Sequence, residues 1–164
     1  MIILINKMKK AFTLVELLVV ISIMAILTII TVSQFRTARK RANDVARKGD
    51  LNSVAKALQL YFADYGTMPA DNVINDNWGE VFKDSSGYIY MVKLPKENTK
   101  GWPQYCYKTD GKKYALFAKL EVESDGECKG NYSCGTLKDQ GTPPYCYANV
   151  SPNASLNEKG EFNP

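Results

Sequence analysis

Lys9-Lys10-Ala11-Phe12-Thr13-Leu14-Val15-Glu16-Leu17-Leu18-Val19-Val20-Ile21-Ser22-Ile23-Met24-Ala25-Ile26-Leu27 decides how this chain is read. Two lysines and a small residue precede an apolar run that carries one carboxylate and continues to about Val32. Roughly 20 such residues are enough to cross the hydrocarbon core of a bilayer. An ionised carboxylate at membrane depth costs about 3 kcal/mol even on lenient insertion scales, so Glu16 needs a partner or a task.

Upstream, Met1-Ile2-Ile3-Leu4-Ile5-Asn6-Lys7-Met8 is a poor secretory signal, because its apolar block precedes its positive charges. A start at Met8 gives a short leader, Met8-Lys9-Lys10-Ala11. Downstream, no proline occurs before Gly66, and Gly49 is the only glycine in that interval. Leu51, Val54, Leu58, Tyr61 or Phe62, and Tyr65 recur at helical steps, with Ala38, Ala42, Val45 and Ala46 extending the stripe upstream. The pattern predicts one helix from Phe12 to Tyr65, about 80 Å long at 1.5 Å per residue. Gly66-Thr67-Met68-Pro69 ends it with a glycine suited to a left-handed cap and then a proline.

The remaining chain fits one small domain. Trp78, Val81 and Phe82 are candidates to pin the connection after the helix, and Gly87 to Val92 is a candidate strand. Gln104 to Thr109, then Asp110-Gly111, then Lys112 to Glu123, is a hairpin signal. Tyr114, Leu116, Ala118, Leu120 and Val122 share the face expected to cover the helix stripe. Tyr145 to Val150 reads as a third strand or as the lock of the preceding loop. Ser151 to Pro164 has little apolar content and is expected to be exposed. The N-x-[ST] matches at Asn131, Asn149 and Asn153 are read as chance.

Four cysteines, Cys106, Cys128, Cys134 and Cys146, lie together with no C-x-x-C pair, which favours disulfides over zinc. Three pairings are open to them, and spacing does not choose. The expected one closes Cys128–Cys134 within the polar loop and ties it back through Cys106–Cys146, for about 3–4 kcal/mol in the chain-entropy picture. Net charge is +4, with Arg36, Arg39, Lys40, Arg41, Arg47 and Lys48 close together and Asp44 opposing them. Read as a nucleic-acid site, that cluster is a weak signal. Asp71, Asp76, Asp84 and Asp125 do not form a D-x-D-x-D calcium loop, so no metal and no cofactor are expected. There is no histidine, no G-x-S-x-G and no phosphate loop, so no catalytic residue is assigned.

Lys9-Lys10, the hydrophobic block and Phe12-Thr13-Leu14-Val15-Glu16-Leu17-Leu18 resemble the N-terminus of prepilins, the precursors of type IV pilins and of type II secretion pseudopilins. The family usually has Gly where this chain has Ala11. The segment Ala63 to Pro69 also resembles the end of the family's long helix, and Leu94-Pro95-Lys96-Glu97 a segment preceding its sheet. The resemblance implies an α+β, pilin-like fold: a long helix on a small antiparallel sheet with a stapled C-terminal loop. It divides the chain into a leader (1–11), a membrane or filament-core half-helix (12–35), an amphipathic half-helix (36–66) and a head (67–164) with its sheet at 104–150.

It further implies cleavage between Ala11 and Phe12 by a prepilin peptidase, N-methylation of Phe12, and pairing of Glu16 with the Phe12 amine of a neighbouring subunit. The partners implied are other copies of the chain, the pilus assembly machinery and, before assembly, the cytoplasmic membrane, with the N-terminus inside and the C-terminus outside. The expected product is an extracellular filament for adhesion, twitching motility or DNA uptake. The competing readings are a pseudopilin of a periplasmic pseudopilus and a membrane-anchored binding domain that never polymerises.

Overall fold

The computed structural model describes residues 12–124, 126–128, 130–133 and 145–163, with backbone alone at 30–33. The chain divides into two units, Met1–Arg39 and Lys40–Pro164. One helix, α1 (Leu14–Tyr65, 52 residues), contributes to both. In the first unit it is apolar, and every described side chain from Phe12 to Ile29 is exposed.

The second unit holds the rest of α1, then α2 (Asp71–Asn75), β1 (Phe82–Lys83), β2 (Ile89–Met91), β3 (Cys106–Thr109), β4 (Tyr114–Ala118) and β5 (Tyr147–Val150). α1 stops because Gly66 takes φ 67° and donates its N–H to the Phe62 carbonyl at 2.8 Å, a left-handed cap that a side chain would strain. β1 and β2 form a two-stranded sheet, and β3-β4-β5 an antiparallel three-stranded one. In the latter Cys106 lies opposite Phe117, which lies opposite Ala148. The 110–113 turn is held by Asp110, whose carboxylate accepts the Lys112 and Lys113 N–H groups.

β4 is buried on both faces. Tyr114, Leu116 and Ala118 pack with Leu51, Val54 and Leu58 of α1 and with Trp78, Phe82 and Leu94 of the connection. Each fully buried Leu or Val there contributes roughly 1.5–3 kcal/mol. The helix, the pinning role of Trp78 and Phe82, the 87–92 strand, the hairpin and the third strand therefore stand as the sequence implied. Val81 is half-buried.

Four expectations are corrected. Ala38, Ala42, Val45 and Ala46 are all exposed, and Asp44 and Arg47 occupy the buried phase of α1 instead. Tyr65, expected to continue that stripe, is 46 % exposed. The tail is not simply exposed. Leu156 and Phe162 pack with Tyr132 over Cys106, Ala115, Phe117 and Tyr145, so residues after Ser151 close the second face of the sheet.

The fourth correction is the cysteine pairing. Cys128 is bonded to Cys146, with Cα atoms 4.5 Å apart, which excludes both Cys128–Cys134 and Cys106–Cys146. The reason is strand order. Cys106 starts β3 and Cys146 immediately precedes β5, and β4 lies between those strands. Two strand spacings make about 9–10 Å, beyond the roughly 7 Å that a disulfide tolerates between Cα atoms. Cys106 is itself disulfide-bonded, and Cys134 lies outside the described residues. Non-reducing peptide mapping is expected to return a linked Cys128–Cys146 peptide; a Cys106–Cys146 peptide would contradict this strand order, and a Cys128–Cys134 peptide would contradict the bond itself.

Candidate processing and assembly site

The site starts with a hydroxyl and a carboxylate three residues apart. Thr13 precedes α1, and the Leu17 N–H donates to the Thr13 carbonyl at 3.3 Å, closing the first helical turn. The Thr13 Oγ1 accepts the Glu16 N–H at 3.2 Å. In return, Glu16 Oε2 accepts the Thr13 N–H at 3.0 Å and the Thr13 hydroxyl at 3.1 Å. This is a reciprocal capping box, which satisfies two backbone donors that an uncapped helix start leaves open. The carboxylate also lies at the positive end of the helix dipole. The signal T-x-x-E ahead of an apolar run was present in the sequence, and it assigns Thr13 a part that reading Glu16 alone did not.

Phe12, immediately before the cap, is 88 % exposed. Ala11 and the residues before it lie outside the described part of the chain. Two other polar groups of the run, Ser22 and Thr28, satisfy themselves. Ser22 Oγ donates to the Leu18 carbonyl and Thr28 Oγ1 to the Met24 carbonyl, each at 2.8 Å. Such back-bonding lets hydroxyls lie in an apolar phase without outside partners. Between Phe12 and Ile29 this leaves Glu16 as the only charged side chain. By length and composition α1 qualifies as a membrane span.

The basic run after the span is only partly available to outside partners. Arg47 is 4 % exposed and Asp44 2 %. The guanidinium of Arg47 donates to Glu97 Oε2 at 2.6 Å, to Asp44 Oδ1 at 2.9 Å, to Glu121 Oε1 at 3.2 Å and to Thr99 Oγ1 at 3.2 Å. It also lies 4.3 Å from the centre of the Trp102 ring. Asp44 accepts the Glu121 and Val122 N–H groups. Burial pushes the Glu97 carboxyl up, but hydrogen bonds from Arg47 and Thr99 outweigh it and hold the group below its ordinary value. Glu121 is lowered in the same way, against burial, by Asn43 and Arg47. Lys48 pairs with Glu127. Arg36, Arg39, Lys40 and Arg41 are exposed.

Among the described residues the acidic candidates do not converge, and Asp125 lies outside them. Asp71 accepts the Thr109 N–H at 2.9 Å, and its carboxyl is raised by burial. Asp84 accepts Ser86 Oγ, the Tyr65 hydroxyl and the Tyr88 N–H, and the Ser86 and Tyr65 bonds take its carboxyl down to about 2. Among the described residues no group of three His, Cys, Asp or Glu is placed to hold a metal.

The N-terminal part of α1 is thus a capped apolar segment, exposed from Phe12 to Ile29 and long and apolar enough to cross a membrane. The comparisons are specific about the N-terminus. Residues 6–32 match the family model of the prokaryotic N-terminal methylation motif. The type IV wide pilus major component PilA4 of Thermus thermophilus is 46 % identical to this chain over 55 residues, covering 34 % of this chain and 42 % of that protein. The match thus spans less than half the length of that relative. No solved structure matches the chain. The resemblance to the type IV pilin family read from the sequence is borne out by these two matches.

Proposed function

We propose that the chain is the precursor of a structural, non-catalytic subunit of a type IV pilus-like filament. The observation that carries this reading is Glu16. It is the only charge between Phe12 and Ile29, a stretch exposed throughout, and it accepts the N–H of Thr13, the residue next to the Phe12 nitrogen that cleavage after Ala11 would convert to an amine. In this reading the precursor crosses the cytoplasmic membrane once, N-terminus inside. A prepilin peptidase removes residues 1–11 and methylates Phe12. Glu16 then meets the Phe12 amine of a neighbouring copy, while Leu14 to Val32 pass from lipid into the core of a homopolymer. Burying that apolar surface among neighbours supplies the association energy without covalent links.

A surface filament of the kind used in adhesion, twitching motility or DNA uptake is the form we favour. The stapled head, in which Cys128–Cys146 joins the loop to β5, suits a filament that is exposed and sheared. Sheared cell-surface material should contain filaments whose subunit begins at Phe12 and carries one extra methyl group on its N-terminal fragment. A mature N-terminus elsewhere, or a processed chain that stays monomeric in the membrane, would overturn the reading. Filaments confined to the periplasm would instead make it a pseudopilin.

A further inference from the structure

Residues 17–35 carry no charge, and Glu16 and Arg36 stand at the two ends of that interval. Both belong to α1, which is helical without a break from Leu14 to Tyr65. The helical rise between them is about 30 Å at 1.5 Å per residue. The hydrocarbon core of a bilayer is also about 30 Å thick. When the uncharged interval spans that core, one charge reaches each boundary and neither has to stay in lipid. Placed so, Glu16 avoids the cost of an ionised carboxylate at membrane depth.

The two ends are satisfied differently. The Glu16 carboxylate is taken up by the Thr13 N–H and hydroxyl. Arg36 and Arg39 are exposed, and among the described residues neither makes an ion pair. One turn apart, they share a face of the helix. Phe35, beside Arg36, is 70 % exposed. An exposed ring next to guanidinium groups at the end of an apolar run is the composition of a lipid–water boundary. The following basic residues are partly committed: Lys40 acts on Glu121, and Arg41 lines a cleft with Asp44. Asp44, the next acid in sequence, is itself bound to Arg47 and to the Glu121 and Val122 N–H groups.

Basic residues beside a span normally stay on the cytoplasmic side. With the N-terminus inside, Arg36 and Arg39 are carried across instead. Removal of residues 1–11 also takes away Lys7, Lys9 and Lys10, which balance them on the inner side. Cations carried to the outer boundary need anions there, and the surface they reach is built of phosphates, which a guanidinium fork pairs with bidentately. We propose that Arg36 and Arg39 bind the phosphates of anionic phospholipids in the outer headgroup layer. This contact fixes the depth of α1 and holds Glu16 at the inner hydrocarbon boundary. The Phe12 nitrogen then lies about 6 Å further in, on the side from which cleavage comes. The proposal rests on the single-span part of the filament reading and adds to it a lipid partner and a depth.

The test uses the full chain, expressed with its peptidase and reconstituted in vesicles of phosphatidylcholine with phosphatidylglycerol. Phe35→Trp reports depth through quenching by phospholipids brominated at known acyl positions, with the contribution of Trp78 and Trp102 read from the unaltered chain. When Arg36→Gln and Arg39→Gln are added, the next cations are Lys40 and Arg41. The helix should then slide inward and carry the reporter deeper by up to about 6 Å. Phosphatidylglycerol retained by the detergent-solubilised chain should fall at least about tenfold in the same variant. Neither arginine has an ion pair to lose, so thermal unfolding should not change. An unchanged depth, or equal retention of phosphatidylglycerol, would overturn the proposal. So would displacement of phosphatidylglycerol by inorganic phosphate, or preference of the unaltered chain for duplex DNA over phosphatidylglycerol vesicles, since either assigns the arginines to another anion. An unaltered chain that alkaline carbonate strips from the vesicles strikes instead at the single-span reading itself.

Discussion

Glu16→Gln is expected to abolish the proposed filament assembly while leaving the helix start and the proposed cleavage after Ala11 intact. Glutamine is accepted at the third position of a capping box, so its side-chain oxygen can still receive the Thr13 N–H that Glu16 Oε2 receives at 3.0 Å. The substitution removes charge and little else. If Glu16 meets the Phe12 amine of a neighbour inside an apolar fibre core, that amine is left buried and unpaired. Breaking a buried pair by removing one member costs about 3–5 kcal/mol. At about 1.4 kcal/mol per decade, subunit affinity then falls roughly 10²- to 10³-fold.

The cap alone predicts a different ranking. If Glu16 served only the helix, Gln would assemble normally and Thr13→Ala would be the more damaging change, at about 1 kcal/mol for the lost cap. Filament yield by electron microscopy, with intact mass to confirm processing at Phe12, separates the two. Normal filaments from processed Glu16→Gln protein would remove the charge-pairing role and leave Glu16 a capping residue.

The long helix and the hairpin were legible because each rests on local pattern. Apolar spacing, the absence of proline before Gly66 and the Asp110-Gly111 turn all act over a few residues. The disulfide pairing was not, because it depends on strand order. Only once β5 is placed on the far side of β4 does Cys146 move out of reach of Cys106. The tail was misread for a related reason: Leu156 and Phe162 are too few to show periodicity, and their burial depends on the second face of β4 needing a cover.

The Arg47 cluster was legible in principle. Asp44, Arg47, Leu51, Val54 and Leu58 follow one another at helical steps of three and four, and the last three are fully buried. The phase of the stripe therefore pointed to Asp44 and Arg47, whereas apolarity pointed to Ala42 and Val45. Phase prevailed because Glu97, Glu121, Thr99 and Trp102 supply the partners that make burial of these charges tolerable. The capping box was legible too. The family motif drew attention to Glu16 as a carboxylate in lipid, and the Thr13 hydroxyl three residues earlier gives that carboxylate a local partner in the isolated chain.

Arg47→Met should be the most destabilising single change in the head. It leaves the Asp44, Glu97 and Glu121 carboxylates around a neutral side chain, at a cost of about 3–5 kcal/mol. Against a typical total of about 5–15 kcal/mol this is a large fraction. Arg47→Lys should fall between the two, since a point charge cannot reach Glu97, Asp44 and Thr99 at once as the fork does. The pH dependence should differ in steepness as well. Glu97 and Glu121 have folded values below the ordinary 4.5, so their contribution is present above that value and is lost as pH falls through the lowered folded values. The wild-type head should therefore lose stability on acidification below about pH 4.5. In Arg47→Met the bonds from Arg47 are gone, while Thr99 still lowers Glu97, Asn43 still lowers Glu121 and burial still pushes both up. The variant should therefore lose less stability than the wild type as pH falls toward 4, because protonation also relieves charges that have lost their cation. Thermal unfolding of both proteins across this range reads the two slopes directly. Indistinguishable slopes, with a loss under about 1 kcal/mol, would place the cluster with solvated surface pairs and not with the core of the head.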